Sequence, residues 1–70
     1  MNKKTQEKLL ELYNYLHNEC RDIKDLYYDG TFEEFVNFNI EIYNSLGEDK
    51  DNFESFEDYV DYEHSNRYNF

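Results

Sequence analysis

Apolar side chains recur at steps of three and four residues through the first part of the chain. The positions are Leu9, Leu12, Leu16, Cys20, Ile23 and Leu26 or Tyr27. This period places them along one stripe of an α-helix. No proline interrupts the pattern, so it predicts one long amphipathic helix over residues 5–28. Asp29-Gly30 is expected to end this helix, with Gly30 in the left-handed conformation that often follows a helix.

A capping box predicts a second, shorter helix. Thr31 and Glu34 have the spacing in which each side chain binds the backbone N–H of the other. The expected helix spans residues 32–46 and is closed by Gly47. Its inward-facing side chains are predicted to be Phe32, Phe35, Val36, Ile40, Tyr43 and Leu46.

A polar loop over residues 48–52 separates this helix from a third, which is predicted over residues 53–63. Either Asn52 or Ser55 is expected to cap it, and its apolar stripe contains Phe53, Phe56 and Tyr59 or Val60. Neither alternating apolar runs nor hairpin dipeptides occur, which disfavours strands. The sequence therefore predicts an all-α fold, a small three-helix bundle with helix 1 as the long member.

The length of 70 residues limits the chain to one domain with a small core. Residues 64–70 lack a clear period and are expected either to fray or to pack back through Tyr68 and Phe70. Two short helices would leave part of the helix 1 stripe uncovered, and small cores often gain stability by association. A homodimer is therefore one expectation.

Charge is distributed unevenly. The whole chain carries −10, with a net +1 over residues 1–24 and −11 over residues 25–70. Such an acidic chain is not expected to bind nucleic acid directly or to approach an anionic membrane. No apolar run approaches the roughly 18 residues of a membrane span, and the charged start leads into no signal-peptide core. With one cysteine, no internal disulfide can form, and a cytoplasmic location is expected.

No arrangement of residues in the sequence indicates catalysis or a cofactor. A calcium-binding loop starting at Asp49 would place Phe53, Glu54 and Val60 where an oxygen ligand, a glycine and a bidentate glutamate are needed. His17 and Cys20 share a helix face but supply only two zinc ligands. We therefore expect no enzyme activity, no metal and no cofactor.

The remaining candidate is an acidic surface interleaved with tyrosines. Carboxylates on the outer faces of packed helices repeat at spacings of several ångströms, similar to phosphates along one DNA strand. Tyrosines beside them add apolar contact area and a hydroxyl. A simpler interpretation is that the acidic face only keeps the protein soluble. The candidate partner-binding residues are Asp25, Asp29, Glu33, Glu34, Glu41, Glu48, Asp49, Asp51, Glu54, Glu57, Asp58, Asp61, Tyr28, Tyr59 and Tyr62.

The short length and two aromatic acidic stretches resemble the small acidic inhibitors that phages and other mobile elements encode. These stretches are Thr31-Phe32-Glu33-Glu34-Phe35 and Phe53-Glu54-Ser55-Phe56-Glu57-Asp58-Tyr59. Such inhibitors include antirestriction proteins, anti-CRISPR proteins and uracil-DNA glycosylase inhibitors, and the second stretch is similar to acidic segments of the ArdA antirestriction family. The resemblance is one of composition over residues 31–63.

The resemblance implies a DNA-mimicking inhibitor. Its partner would be the basic nucleic-acid-binding groove of a host nuclease or DNA-processing protein, in the cytoplasm of a bacterial cell. The alternative is an acidic helical adaptor that docks on a protein partner through an apolar helix groove, with its charge incidental.

Overall fold

Three α-helices, a π-helical turn and a 3₁₀ segment make up the fold of residues 1–67. The computed structural model describes residues 1–67. The three helices are α1 (Lys3–Asn14), α2 (Phe32–Asn44) and α3 (Phe56–Arg67). A π-helical turn over Tyr15–Glu19 continues α1, and a 3₁₀ segment spans Gly47–Asn52. Residues 1–67 contain no strand, so the predicted all-α bundle is confirmed.

Helix α1 begins two residues before the predicted start. The side-chain oxygen of Asn2 accepts a hydrogen bond from the backbone N–H of Thr5 at 2.8 Å, which satisfies one of the donors left open at a helix start. The side chains of Leu9, Leu12 and Leu16 are buried along one stripe. The apolar period therefore predicted the core face of this helix correctly.

The prediction that helix 1 continues to residue 28 is wrong. The helix ends with the π turn, where the N–H of Cys20 binds the carbonyl of Tyr15 at 3.0 Å. Ile23 and Leu26 lie beyond this end and are 47% and 39% exposed. A helix continued from residue 20 to residue 28 would project by roughly 12 Å at 1.5 Å per residue. Turns occupy most of residues 21–26 instead.

The chain instead turns back, so that Tyr28 reaches α1 again. The N–H of Tyr28 lies 3.4 Å from the carbonyl oxygen of Leu16, and the ring of Tyr28 packs 5.0 Å from that of Phe35. Aromatic pairs of this kind add about 0.5–1.5 kcal/mol beyond their buried area. We call residues 21–28 the reversed segment. Its packing replaces the last two turns of the predicted helix.

The two glycines have different roles. Gly47 follows α2 with a φ of 62°, as predicted, although α2 ends at Asn44 rather than at residue 46. Gly30 does not have a positive φ, so its predicted left-handed conformation is wrong. A Cβ at Gly30 would lie 2.7 Å from a ring carbon of Tyr28. Glycine at this position therefore permits the ring to cover the backbone.

Helix α3 is shifted toward the C-terminus relative to its prediction. Phe53 is extended, with φ −122° and ψ 137°, and the helix starts at Phe56 instead of residue 53. Ser55 is the cap, because its Oγ accepts a hydrogen bond from the N–H of Asp58 at 3.3 Å. The helix continues to Arg67, so residues 64–67 are helical and not a tail. Tyr68 and Phe70 lie outside the described residues.

Helix α1 lies at the centre of the core and contacts both other helices. Its stripe meets Phe35 from α2 and Tyr59 and Val60 from α3. The fully buried apolar side chains are Leu9, Leu12, Leu16, Cys20, Phe35, Tyr59 and Val60. Every helix within residues 1–67 is too short or too polar to cross a bilayer.

Candidate functional site

Some of the predicted site acids stabilise helix starts. Glu34 accepts a hydrogen bond from the N–H of Thr31 at 2.9 Å, and the N–H of Glu34 binds the Thr31 hydroxyl at 3.1 Å, which completes the predicted capping box. Asp58 accepts from the N–H of Glu54 at 3.3 Å. Glu33 and Glu57 share these first turns, where negative charge favours the helix dipole. The fold itself therefore accounts for these four acids.

Two further acids are held by neighbouring side chains. Asp61 forms an ion pair with Lys8, which joins α3 to α1. Asp29 accepts a hydrogen bond from the hydroxyl of Tyr27 at 3.1 Å. Both remain exposed, but part of their hydrogen-bonding capacity is already used.

The most open group of acids lies on the 3₁₀ segment. We call Glu48, Asp49 and Asp51 the acidic turn; all three are exposed. Among residues 1–67, none of the three forms an ion pair. The side chain of Lys50, their neighbour in the sequence, contacts α2 instead. Its Nζ lies 4.8 Å from the centre of the Tyr43 ring and 3.3 Å from Oδ1 of Asn44. The nearest cation in the sequence therefore contacts an aromatic face instead of the acids beside it.

The other predicted acids lie on separate parts of the surface. Asp25 is exposed in the reversed segment, Glu41 on α2, and Glu54 ahead of α3. Within the described part of the chain, none of them forms an ion pair. The predicted acids thus lie on several elements, and only the acidic turn groups three exposed ones.

The three predicted tyrosines have different environments. Tyr62 is 56% exposed, and Tyr28 is half-buried between aromatic rings. Tyr59 is only 3% exposed, and its hydroxyl donates to Glu63 Oε1 at 2.9 Å. Tyr59 is therefore a core residue, and the small exposed part of its side chain offers a partner little contact area, contrary to its predicted role. Of the two stripe candidates in α3, Tyr59 and Val60, the fold buries both.

An open groove lies directly beside the acidic turn. Its volume is about 520 Å³. Two of its lining rings, Phe53 and Tyr62, are in edge-to-face contact, with centroids 5.5 Å apart. We call it the aromatic groove; its lining is Ile42, Leu46, Asp49, Asn52, Phe53, Tyr59, Tyr62 and Glu63. Asp49 belongs to both features, so the acidic turn and the aromatic groove form one continuous surface.

Sequence reasoning placed Leu46 and Phe53 in the core and did not identify the groove. The backbone at Phe53 is extended, so this residue lies outside the helical stripe, and its ring packs against that of Tyr62. Aromatic residues on both sides of a polar loop were the one available signal. That signal does not distinguish aromatic residues packed in the core from aromatic residues that line an open groove.

The histidines and the cysteine have structural surroundings. The ring of His17 stacks between Tyr13 and Tyr27, at 5.1 and 5.8 Å. Its Nδ1 lies 2.9 Å from the carbonyl oxygen of Tyr28, which helps hold the chain reversal, while Cys20 is buried in the core. Residues 1–67 bring together no group of three or more His, Cys, Asp or Glu side chains that could hold a metal ion.

Replacing Tyr59 by phenylalanine should change how stability depends on pH. Burial first, and then the hydrogen bond to Glu63, raise the pKa of Tyr59 well above its usual value. A raised pKa in the folded state means that stability is complete below the ordinary tyrosine pKa of about 10 and falls as pH rises beyond it. Near neutral pH, the variant should be about 1 kcal/mol less stable, because Glu63 loses a donor.

Above about pH 10, the parent should lose stability faster than the variant, so that the difference shrinks. Urea unfolding followed by circular dichroism at a series of pH values measures this. Tyr62→Phe, at an exposed position, is the control and should follow the parent. A difference between parent and Tyr59→Phe that stays constant up to about pH 11 would contradict the assignment.

Comparison with other proteins adds no family to this description: no family model, no curated protein and no solved structure matches the chain.

Proposed function

We propose that this protein is a binding inhibitor of the DNA-mimic type, which occupies the basic nucleic-acid-binding groove of a host defence or DNA-processing protein. It would act in the cytoplasm of a bacterial cell. The observation that carries the proposal is the acidic turn, whose three exposed carboxylates lie beside a lysine that contacts Tyr43 and Asn44 instead.

Unpaired carboxylates in the free protein favour a basic partner. Like charges close together repel one another, and a surface of opposite sign relieves that repulsion while steering the encounter. Exposed acids that already had lysine or arginine partners would gain less free energy from a basic partner. The acidic turn therefore offers its full charge to a partner.

Two exposed acids of α2 add negative charge on the helix that leads to the acidic turn. Glu33 and Glu41 lie eight residues apart on this helix, which corresponds to about 12 Å along its axis. The acidic turn follows beyond the C-terminal end of α2, so a basic partner that covers the turn also meets the field of these acids.

Capture from a bacterial lysate by the immobilised protein tests the proposal. The decisive variant is Glu48→Lys/Asp49→Lys/Asp51→Lys. The matched control, Glu7→Lys/Glu19→Lys/Asp22→Lys, changes three exposed acids of the N-terminal part and gives the same net charge. Short duplex DNA is added as competitor at several salt concentrations.

The parent and the control should retain nucleic-acid-binding proteins that duplex DNA and salt displace. The variant of the acidic turn should lose them, with affinity reduced on the order of a hundredfold if three contacts together contribute roughly 2–3 kcal/mol. If the folded variant keeps the same proteins and DNA displaces nothing, the acidic surface is not the binding surface.

The aromatic groove favours the second candidate, an adaptor that binds a protein partner through apolar contacts. Its apolar lining contains Ile42, Leu46, Phe53 and Tyr62, and such contacts depend little on salt. Captured proteins that persist at high salt and on the acidic-turn variant would identify this function instead.

A further inference from the structure

We infer that the aromatic groove and the acidic turn form a single binding site, and that its occupant is a partner segment with a large apolar side chain flanked by lysine or arginine. The inference rests on the proposed function for the presence of a basic partner. It adds which part of that partner is held and how it is oriented.

The groove has the size and lining of an anchor site. Its volume of about 520 Å³ lies within the range of roughly 300–1,000 Å³ that ligand pockets span, which is room for one or two large side chains. Tyr62 is 56% exposed at its edge, and Phe53 is half-buried in its wall. Apolar area of this kind gains free energy when a partner covers it, and tyrosines are frequent anchors of interfaces.

Charge complementarity selects the occupant. A second copy of this chain would bring another ten negative charges, and long-range repulsion would oppose its approach. An apolar segment flanked by acids would meet the same repulsion. A segment flanked by lysine or arginine covers the apolar lining and neutralises the acidic turn in one contact.

The two carboxylates in the groove lining differ in availability, which fixes the orientation. Glu63 already accepts from the Tyr59 hydroxyl at 2.9 Å, and its other oxygen pairs with Arg67 Nε at 3.2 Å. In the part of the chain that the structure describes, Asp49 has neither a hydrogen bond to its side chain nor an ion pair. The basic residue of the partner should therefore lie on the side of the 3₁₀ segment, with the apolar residue against Phe53 and Tyr62.

Three synthetic peptides of about a dozen residues test the inference. The first carries Leu and Phe flanked by Lys and Arg, the second replaces Leu and Phe by Ser, and the third replaces Lys and Arg by Glu. Fluorescence anisotropy measures their binding to the parent, to Tyr62→Ser and to Asp49→Lys. Leu10→Ser and Glu7→Lys are the controls, since Leu10 is exposed on α1 outside the groove.

The parent should bind the first peptide at least roughly tenfold more tightly than either of the others, the change expected from one anchor side chain. Tyr62→Ser should lose the preference over the serine peptide, while Asp49→Lys should weaken binding of both basic peptides. The two controls should behave as the parent. Circular dichroism establishes that each variant is folded.

Other outcomes overturn the inference in distinguishable ways. Equal binding of both basic peptides, unchanged in Tyr62→Ser, would leave the acidic surface as the binding site and remove the groove from it. Equal binding of the acidic peptide would remove the charge requirement. Binding of none of the peptides rejects the proposed occupant, while capture from lysate decides the proposed function separately. Self-association that Tyr62→Ser abolishes would make a second copy the occupant.

Discussion

Replacing Leu12 by alanine is expected to lower the free energy of unfolding by about 2–5 kcal/mol, whereas the same change at Leu10 should cost under about 0.5 kcal/mol. Leu12 is 1% exposed and lies in the core stripe of α1, while Leu10 is 44% exposed on the same helix. The two changes remove identical atoms from positions two residues apart on one helix, so intrinsic helix propensity cancels between them. Only burial distinguishes the two positions.

The loss of stability expected for Leu12→Ala is large compared with the total free energy of unfolding. A chain of 70 residues has a stability of roughly 4–10 kcal/mol at typical values per residue. Leu12→Ala should therefore populate the unfolded state measurably near room temperature, while Leu10→Ala should unfold like the parent. Urea titrations followed by circular dichroism measure both. Equal losses in the two variants would contradict the central position of α1.

Local signals predicted most of the fold. The capping box of Thr31 and Glu34, the end of α2 before Gly47 and the buried stripe from Leu9 to Cys20 each depend on residues within a few positions of one another. Backbone sterics and side-chain hydrogen bonds decide such features. They were therefore readable from the sequence.

The end of helix 1 was not readable, because it depends on distant packing. Ile23 and Leu26 continue the apolar period, yet both lie exposed beyond the π turn. Beyond the helix end, the chain reverses and the ring of Tyr28 packs on that of Phe35. This contact joins different elements of the fold, so an apolar period within residues 19–28 does not predict it and overestimates the helix.

In the candidate site too, some features depend on residues close in the sequence and others on distant packing. Composition identified the acids, and the cap at Glu34 was visible in its spacing from Thr31. The burial of Tyr59, the contact of Lys50 with Tyr43 and the extended backbone at Phe53 depend on the packed structure. These three features separate the available acids from the engaged ones, and Phe53 belongs to the lining of the groove beside them.

Because some acids hold the fold and others are free for a partner, reversing their charge should affect the free energy of unfolding differently. Glu34→Lys/Asp58→Lys should lower the free energy of unfolding by about 2 kcal/mol, since each substitution removes a cap hydrogen bond and places positive charge at a helix N-terminus. Glu48→Lys/Asp49→Lys/Asp51→Lys should leave it unchanged or raise it. That variant moves the net charge from −10 to −4 and loses no hydrogen bond or ion pair found within residues 1–67.

Thermal unfolding in low salt measures both variants against the parent. A change of 1 kcal/mol shifts the midpoint of a domain of this size by about 4–8 °C, so the cap variant should melt roughly 10 °C lower. Any gain in the acidic-turn variant should shrink as added salt screens the repulsion in the parent. An acidic-turn variant that melts as low as the cap variant would mean that these acids hold the fold together. Its loss of partner binding would then report unfolding, and the acidic turn would have no claim to be a binding surface.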